Sequence, residues 1–183
     1  FDLWEGESDA DSFIPELLTY LKENNLTEIS DGATIIDVKE ETDKKEMPPV
    51  ILIKSDGGVL YDTTELATLY SRIKRFNADA YFYLTDVRQE LHFVQAFRAA
   101  KKTNIVPNNI DLEWFGFGTM NGPDGKPFKT RDGGIMSLRG LINLVKDETI
   151  KVIKDNIPNE EKDDLAETLA VAAIKYADLL PNR

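Results

Sequence analysis

The sequence predicts a mixed α/β fold with parallel strands, and two observations carry that reading. Two apolar, aromatic runs, "AYFYLTD" at 80–86 and "LEWFGFG" at 112–118, have the continuity of strands buried on both faces. Helical patterns precede and separate them: "TTELATLYSRIKRF" at 63–76, with Thr63 or Thr64 as the expected N-cap, and "QELHFVQAFRAAKK" at 89–102. Strand alternating with helix at this spacing is the βαβ signature, so the two strands are expected parallel with a right-handed crossover.

The flanking segments read as follows. Residues 1–58 suggest a small α+β unit. "SFIPELLTYLKENN" spaces Phe13, Ile14, Leu17, Leu18 and Leu21 along one helical face. "ATIIDV" and "PVILIKS" are strand-like, and the charged "KEETDKKEMP" between them reads as a solvated loop. Near the C-terminus, "SLRGLINLVKDETIKVIKDNI" and "NEEKDDLAETLAVAAIKYADLL" predict two helices. The second is expected to bury Leu165, Leu169, Ala172, Ala173 and Tyr176. Two strands make a poor sheet, because their edges need partners. That shortage, with a first residue Phe1 in place of Met, leads us to expect part of a larger protein.

Bulk composition narrows the function. The chain has 183 residues, of which 42% are hydrophobic and 30% charged, ordinary for a globular protein. No apolar run approaches the ~18 residues of a membrane span, and no basic-then-apolar leader is present, so a cytoplasmic protein is expected. With no cysteine, the chain has no disulfide or thiolate chemistry; with one histidine, His92, it is poorly equipped for zinc. A net charge of −11 argues against broad nucleic-acid binding by this chain alone.

One segment runs against that charge. "DGKPFKTRDGG" at 124–134 gathers Lys126, Lys129 and Arg131 among glycines, directly after the second apolar strand. In open α/β sheets ligands bind beyond the carboxyl ends of the parallel strands. That rule selects this loop, and it selects Asp86, Arg88, Gln89 and His92 after the first strand. A nucleotide phosphate is the natural anion for the lysines. The loop lacks the Gly-x4-Gly-Lys-[Ser/Thr] pattern, and on composition alone a solvated β-turn reads as well.

The sequence resembles a family. "WEGES", "KSDGGVLYDTTELATLYSRIK", "DVRQELHFVQAFRAAKK", "LEWFGFG", "DGKPFKTRDGG" and the closing "AIKYADLLPNR" follow the order and spacing of bacterial arginyl-tRNA synthetases. The resemblance implies a partial Rossmann-type, class I catalytic domain: an insertion subdomain at 1–58, the second catalytic half with the basic loop at 59–134, and a helical connector at 135–183 toward an anticodon-binding domain. It implies activation of L-arginine with ATP, accompanied by Mg2+, and charging of tRNA(Arg). The loop would correspond to the mobile signature loop usually spelled Lys-Met-Ser-Lys-Ser, here "KPFKT", with Lys126 or Lys129 on the ATP phosphates.

The resemblance also assigns the arginine site to Glu7, Tyr61, Glu65 and Gln89. It puts His92, Phe117 and Gly118 on the ATP side, within an adenine-contacting stretch at Phe115–Gly118 for the last two. Where the family usually has aspartate, this chain has Glu65. The other class I signature, rich in histidine, is absent, so the first catalytic half would be a missing partner and the isolated chain is expected inactive. The plainer readings stay open: Glu65 serving the helix dipole, Glu7 an exposed acid, Tyr61 a strand-end aromatic, Gln89 a helix-start residue, His92 a structural side chain. A non-catalytic arginine- or nucleotide-binding or interaction module is the alternative function.

Overall fold

In the computed structural model, the described residues are 2–118, 137–153 and 157–179. A 3-10 turn, Glu7–Phe13, leads into α1 (Ile14–Glu23). Three strands follow, β1 (Glu28–Ser30), β2 (Ala33–Ile36) and β3 (Val50–Ile53), and then α2 (Tyr61–Arg75). After α2 come β4 (Ala80–Asp86), a 3-10 turn at Val87–Gln89, α3 (Glu90–Lys102) and β5 (Asp111–Phe117). The last helices are α4 (Leu138–Val152) and α5 (Asn159–Leu179). The chain divides into two units, residues 1–83 with 88–115, and residues 84–87 with 116–183.

In the first unit, β1, β2 and β3 form an antiparallel sheet in that order. The β1–β2 hairpin closes through Asp31 (φ 48°) and Gly32 (φ 79°). Two positive φ values in a two-residue loop match the twist of the flanking strands, and Asp-Gly tolerates them best. β1 was not expected from sequence, because "EIS" is exposed throughout and shows no apolar pattern. β2 and β3 point Ile36, Val50 and Leu52 into a core shared with Leu17 and Leu21 of α1 and Leu66 and Leu69 of α2. Phe93, Ala99 and Ala100 of α3 and Val106 complete it, so this core draws on residues from both sides of position 58.

Thr63 is not the cap of α2. The cap position is Leu60, in extended backbone and without a side-chain cap bond. Thr63 lies one turn inside, fully buried, and donates its hydroxyl to the Leu52 carbonyl at 2.6 Å. That bond ties the start of α2 to β3. It explains why a β-branched polar residue is kept inside the helix.

β4 and β5 pair as a separate two-stranded sheet. The Asp111 amide donates to the Asp79 carbonyl at 2.9 Å, so both strands start at the same end and run parallel, with α3 as the connection. The expected burial on both faces does not hold. Tyr83 is buried, whereas its neighbours Phe82 and Leu84 are 58% and 57% exposed. Phe82 meets Phe115 across the strands, ring centroids 5.8 Å apart, as an exposed cross-strand pair. A continuous apolar run tells that both faces suit cover, not that the chain supplies it.

In the second unit α4 and α5 pack together. Ser137 caps α4, accepting from the Gly140 amide at 3.0 Å. Lys146 bridges Asp163 at 2.7 Å and Glu167 at 3.3 Å. The buried face of α5 carries Ala166 and Ala170, while Leu169 and Tyr176 are exposed, contrary to the expected face. Close helix packing selects small side chains at the contact, and alanines give only a weak periodic signal. Among the described residues no helix is long and apolar enough to cross a membrane.

Candidate functional site

The first turns of α2 and α3 bring the chemistry together in the first unit. Leu60 starts α2, so Tyr61, Asp62 and Glu65 fall in its opening turns. Gln89 occupies the cap position of α3, and His92 follows in the first turn. The two helices pack against each other. The 3-10 turn that carries Glu7 also packs on α2. It is tied down by an ion pair between Glu5 and Arg75 at 2.6 Å, and it begins where the Gly6 amide donates to Asp9 at 2.7 Å.

These residues act on one another electrostatically. Burial raises the Glu65 carboxyl pKa above its ordinary value. His92 when protonated, Arg72 and the Tyr83 hydroxyl pull it back down, and Glu7 pushes it further up. The Tyr61 hydroxyl pKa is also raised, by burial first and then by Glu65, Glu7 and Asp62. Tyr61 therefore senses Glu65 and Glu7, and Glu65 senses Glu7. Gln89 is exposed at the edge of α3.

Two groups that act on Glu65 are themselves paired. Arg72 donates to the Tyr83 hydroxyl at 2.8 Å, and its guanidinium lies 5.4 Å from the Tyr83 ring centroid. Both favour the ionised Glu65 carboxyl. Burial, then Glu65, raises the Tyr83 pKa, so the phenol stays protonated as the donor. Oε1 of Glu65 is nevertheless buried without a partner. Buried polar atoms are normally paired, and a buried carboxylate oxygen left without a donor is costly. Among the described residues, nothing donates to Oε1.

His92 carries the second such atom. Its Nδ1 lies 2.8 Å from Asp62 Oδ1. Its ring packs on Tyr61 with centroids 4.5 Å apart and planes tilted 36°. Phe93 meets it edge-on at 5.0 Å. Nε2 of His92 is buried without a partner. Asp62, Arg72 and Tyr83 were not singled out from sequence. Asp62 looks like a helix-dipole acid, and its partner lies 30 residues away; Tyr83 sits in a run that reads as plain core.

The remaining candidates fall elsewhere. Phe117 ends β5 and Gly118 follows it, both in the second unit. Lys126 and Lys129 lie outside the described residues. No group of three His, Asp or Glu side chains gathers as a metal site among the described residues.

The described residues form an α/β arrangement with acidic and aromatic side chains gathered at the starts of two adjacent helices. Comparison with known proteins makes this specific. The signature described as tRNA synthetases class I (R), catalytic domain, matches residues 1–183, and the chain belongs to that family. An arginine–tRNA ligase of Agathobacter rectalis is 51% identical over 98% of this chain and 31% of its own length. One from Francisella tularensis subsp. novicida is 46% identical over 100% of this chain and 30% of its own length. The crystal structure of Plasmodium falciparum arginyl-tRNA synthetase superposes with a TM-score of 0.74 at 31% identity, covering 95% of this chain and 28% of that one. The Thermus thermophilus arginyl-tRNA synthetase shares the fold, with a TM-score of 0.66 at 14% identity over 94% of this chain and 34% of its own. The chain thus spans about 30% of the length of the curated relatives it matches.

Proposed function

We propose that these 183 residues are the arginine-recognising part of the catalytic domain of an arginine–tRNA ligase, which joins L-arginine to ATP as arginyl-adenylate and passes the arginyl group to tRNA(Arg). The observation that carries this reading is Oε1 of Glu65, buried and without a donor, beside Tyr61 and within the electrostatic reach of Glu7. A guanidinium is planar, permanently charged and presents paired N–H donors, so it suits carboxylates that an ammonium would meet at a single point. Gln89, at the start of α3, is the candidate for the substrate's amino and carboxylate groups.

The rest of the reaction follows from charge. The arginine carboxylate attacks the α-phosphorus of ATP, and pyrophosphate leaves. Negative charge grows on the leaving oxygens, and cations fixed there stabilise the transition state more than the ground state. Lys126 and Lys129 are the proposed cations, with Mg2+ arriving on ATP. Phe117 and Gly118 are the proposed adenine contacts at the end of β5, and the absence of a side chain at Gly118 permits close backbone approach. His92, held against Tyr61, is the proposed contact on the ATP side.

The test is arginine-dependent exchange between ATP and pyrophosphate. In a ligase of the relatives' full length carrying this segment, Lys129→Ala should depress kcat by about a hundredfold and leave the arginine KM within about threefold, the pattern of a contact made only in the transition state. Equal loss in both would overturn the leaving-group role. The 183 residues alone, with no histidine besides His92, should show negligible exchange; appreciable turnover would contradict the reading that the first catalytic half is required.

A further inference from the structure

Asp62 and His92 meet across two helices, and the bond between them fixes more than a contact. The carboxylate of Asp62, when ionised, only accepts. At 2.8 Å from Nδ1 it therefore requires the proton on that nitrogen. In the neutral ring the other nitrogen is then bare, an acceptor with its lone pair in the ring plane. That other nitrogen, Nε2, is the buried atom without a partner.

Glu65 fits the same assignment. Its Oε1 is the other unpartnered buried side-chain atom among the described residues. It lies one turn beyond Asp62 on α2, which packs against α3, the helix that carries His92 in its first turn. With the proton on Nδ1 both atoms are acceptors, and both are left without a partner. The packing allows the ring little choice: Tyr61 covers one face at 4.5 Å, and Phe93 meets it edge-on at 5.0 Å.

We propose that Asp62 is a positioning residue for His92: it holds the imidazole as the Nδ1–H tautomer, so that Nε2 stands as a buried acceptor, alongside Glu65 Oε1, for an N–H or O–H donor on a substrate. The acceptor half rests on the arginine-ligase reading above; the tautomer half does not. The donor is either a guanidinium N–H of arginine or a hydroxyl or amino group of ATP. Both present the same chemistry to Nε2.

The chain contains one histidine, so nitrogen-15 labelling of histidine gives a spectrum of this ring alone. At neutral pH the ligand-free wild-type chain should show the proton on Nδ1 and a bare Nε2. Asp62→Ala should shift the ring toward a mixture or the Nε2–H form. A role limited to the helix dipole would leave the tautomer unchanged. If that variant fails to fold, the wild-type spectrum still decides the tautomer by itself. An Nε2–H ring or an imidazolium in the wild type, or an unchanged tautomer in folded Asp62→Ala, overturns the proposal. L-arginine and ATP are then titrated separately into the labelled wild type. Movement of the Nε2 signal toward that of a hydrogen-bonded acceptor supports the proposal, and the ligand that causes it identifies the donor. A ligand that binds, as read from backbone amides, while Nε2 stays fixed is excluded as that donor; if neither moves Nε2, the acceptor half is overturned. Should neither ligand bind, the acceptor half falls with the arginine reading, while the tautomer assignment stands on the ligand-free spectrum.

Discussion

Helix α2 has two sides that obey different rules. On the core side, Leu66 and Leu69 are fully buried, and Thr63, equally buried, hands its one proton to the Leu52 carbonyl. On the other side, Glu65 keeps a buried oxygen without a donor, and the Tyr61 ring covers a histidine that also lacks one. The same fifteen-residue helix is satisfied on its core side and keeps an unpartnered buried oxygen at Glu65. Local violations of polar pairing in an otherwise well-packed domain are expected where a ligand completes the structure.

The contrast can be broken most sharply at Glu65. Glu65→Gln keeps the shape and removes the charge. Losing one partner of a buried ion pair costs about 3–5 kcal/mol, so arginine affinity should fall by at least about a hundredfold, read by calorimetry. The fold should not suffer, since the variant removes a buried charge whose Oε1 has no partner among the described residues. Leu66→Ala on the opposite side should do the reverse. It opens a cavity in the core and should lower unfolding stability by about 2–5 kcal/mol in a denaturant titration, with arginine affinity of the folded molecules nearly unchanged.

Thr63→Val sharpens the comparison on a smaller scale. It deletes the donor to Leu52 while keeping the branched shape, and should cost about 1–2 kcal/mol for the carbonyl left unpaired in the core. A neutral result would mean that the hydroxyl is not what anchors α2 to β3. The smallest effect concerns pH. The Glu65 pKa is raised in the folded chain from an ordinary 4.5, so the fold prefers its protonated form. Its stabilising contribution is complete below that ordinary value and is lost as pH rises through the raised one. The melting temperature of Glu65→Gln relative to wild type should therefore increase with pH across that window. Arginine binding runs the opposite way, because it needs the carboxylate ionised and weakens as pH falls through the raised value.

Most of the fold was legible because its signals are local. The helical spacing of Leu17 and Leu21 marked the buried face of α1, the pattern at 63–76 marked α2, and the aromatic runs marked β4 and β5. The misses share a cause: they depend on what a segment meets in space. "EIS" pairs by backbone alone and has no pattern to read. Thr63 looked like a cap because its carbonyl partner on β3 is eleven residues away. Phe82 and Leu84 looked buried because apolar character is visible in sequence and coverage is not. At the site, Glu7, Tyr61 and Glu65 came from the family resemblance, and the structure brings them within electrostatic reach of one another. Asp62 had no signal, since its meaning arises only when α3 delivers His92 to it.

Glu65 keeps a buried oxygen without a partner, and a flat cation is the ligand proposed for it. Calorimetric titration of the protein with L-arginine and with L-citrulline tests that proposal most directly, because citrulline has nearly the same shape and carries no charge on its side chain. The account predicts measurable arginine binding, citrulline weaker by at least about a hundredfold, and no such discrimination in Glu65→Gln. Equal affinity for the two ligands, or discrimination that survives Glu65→Gln, would contradict it.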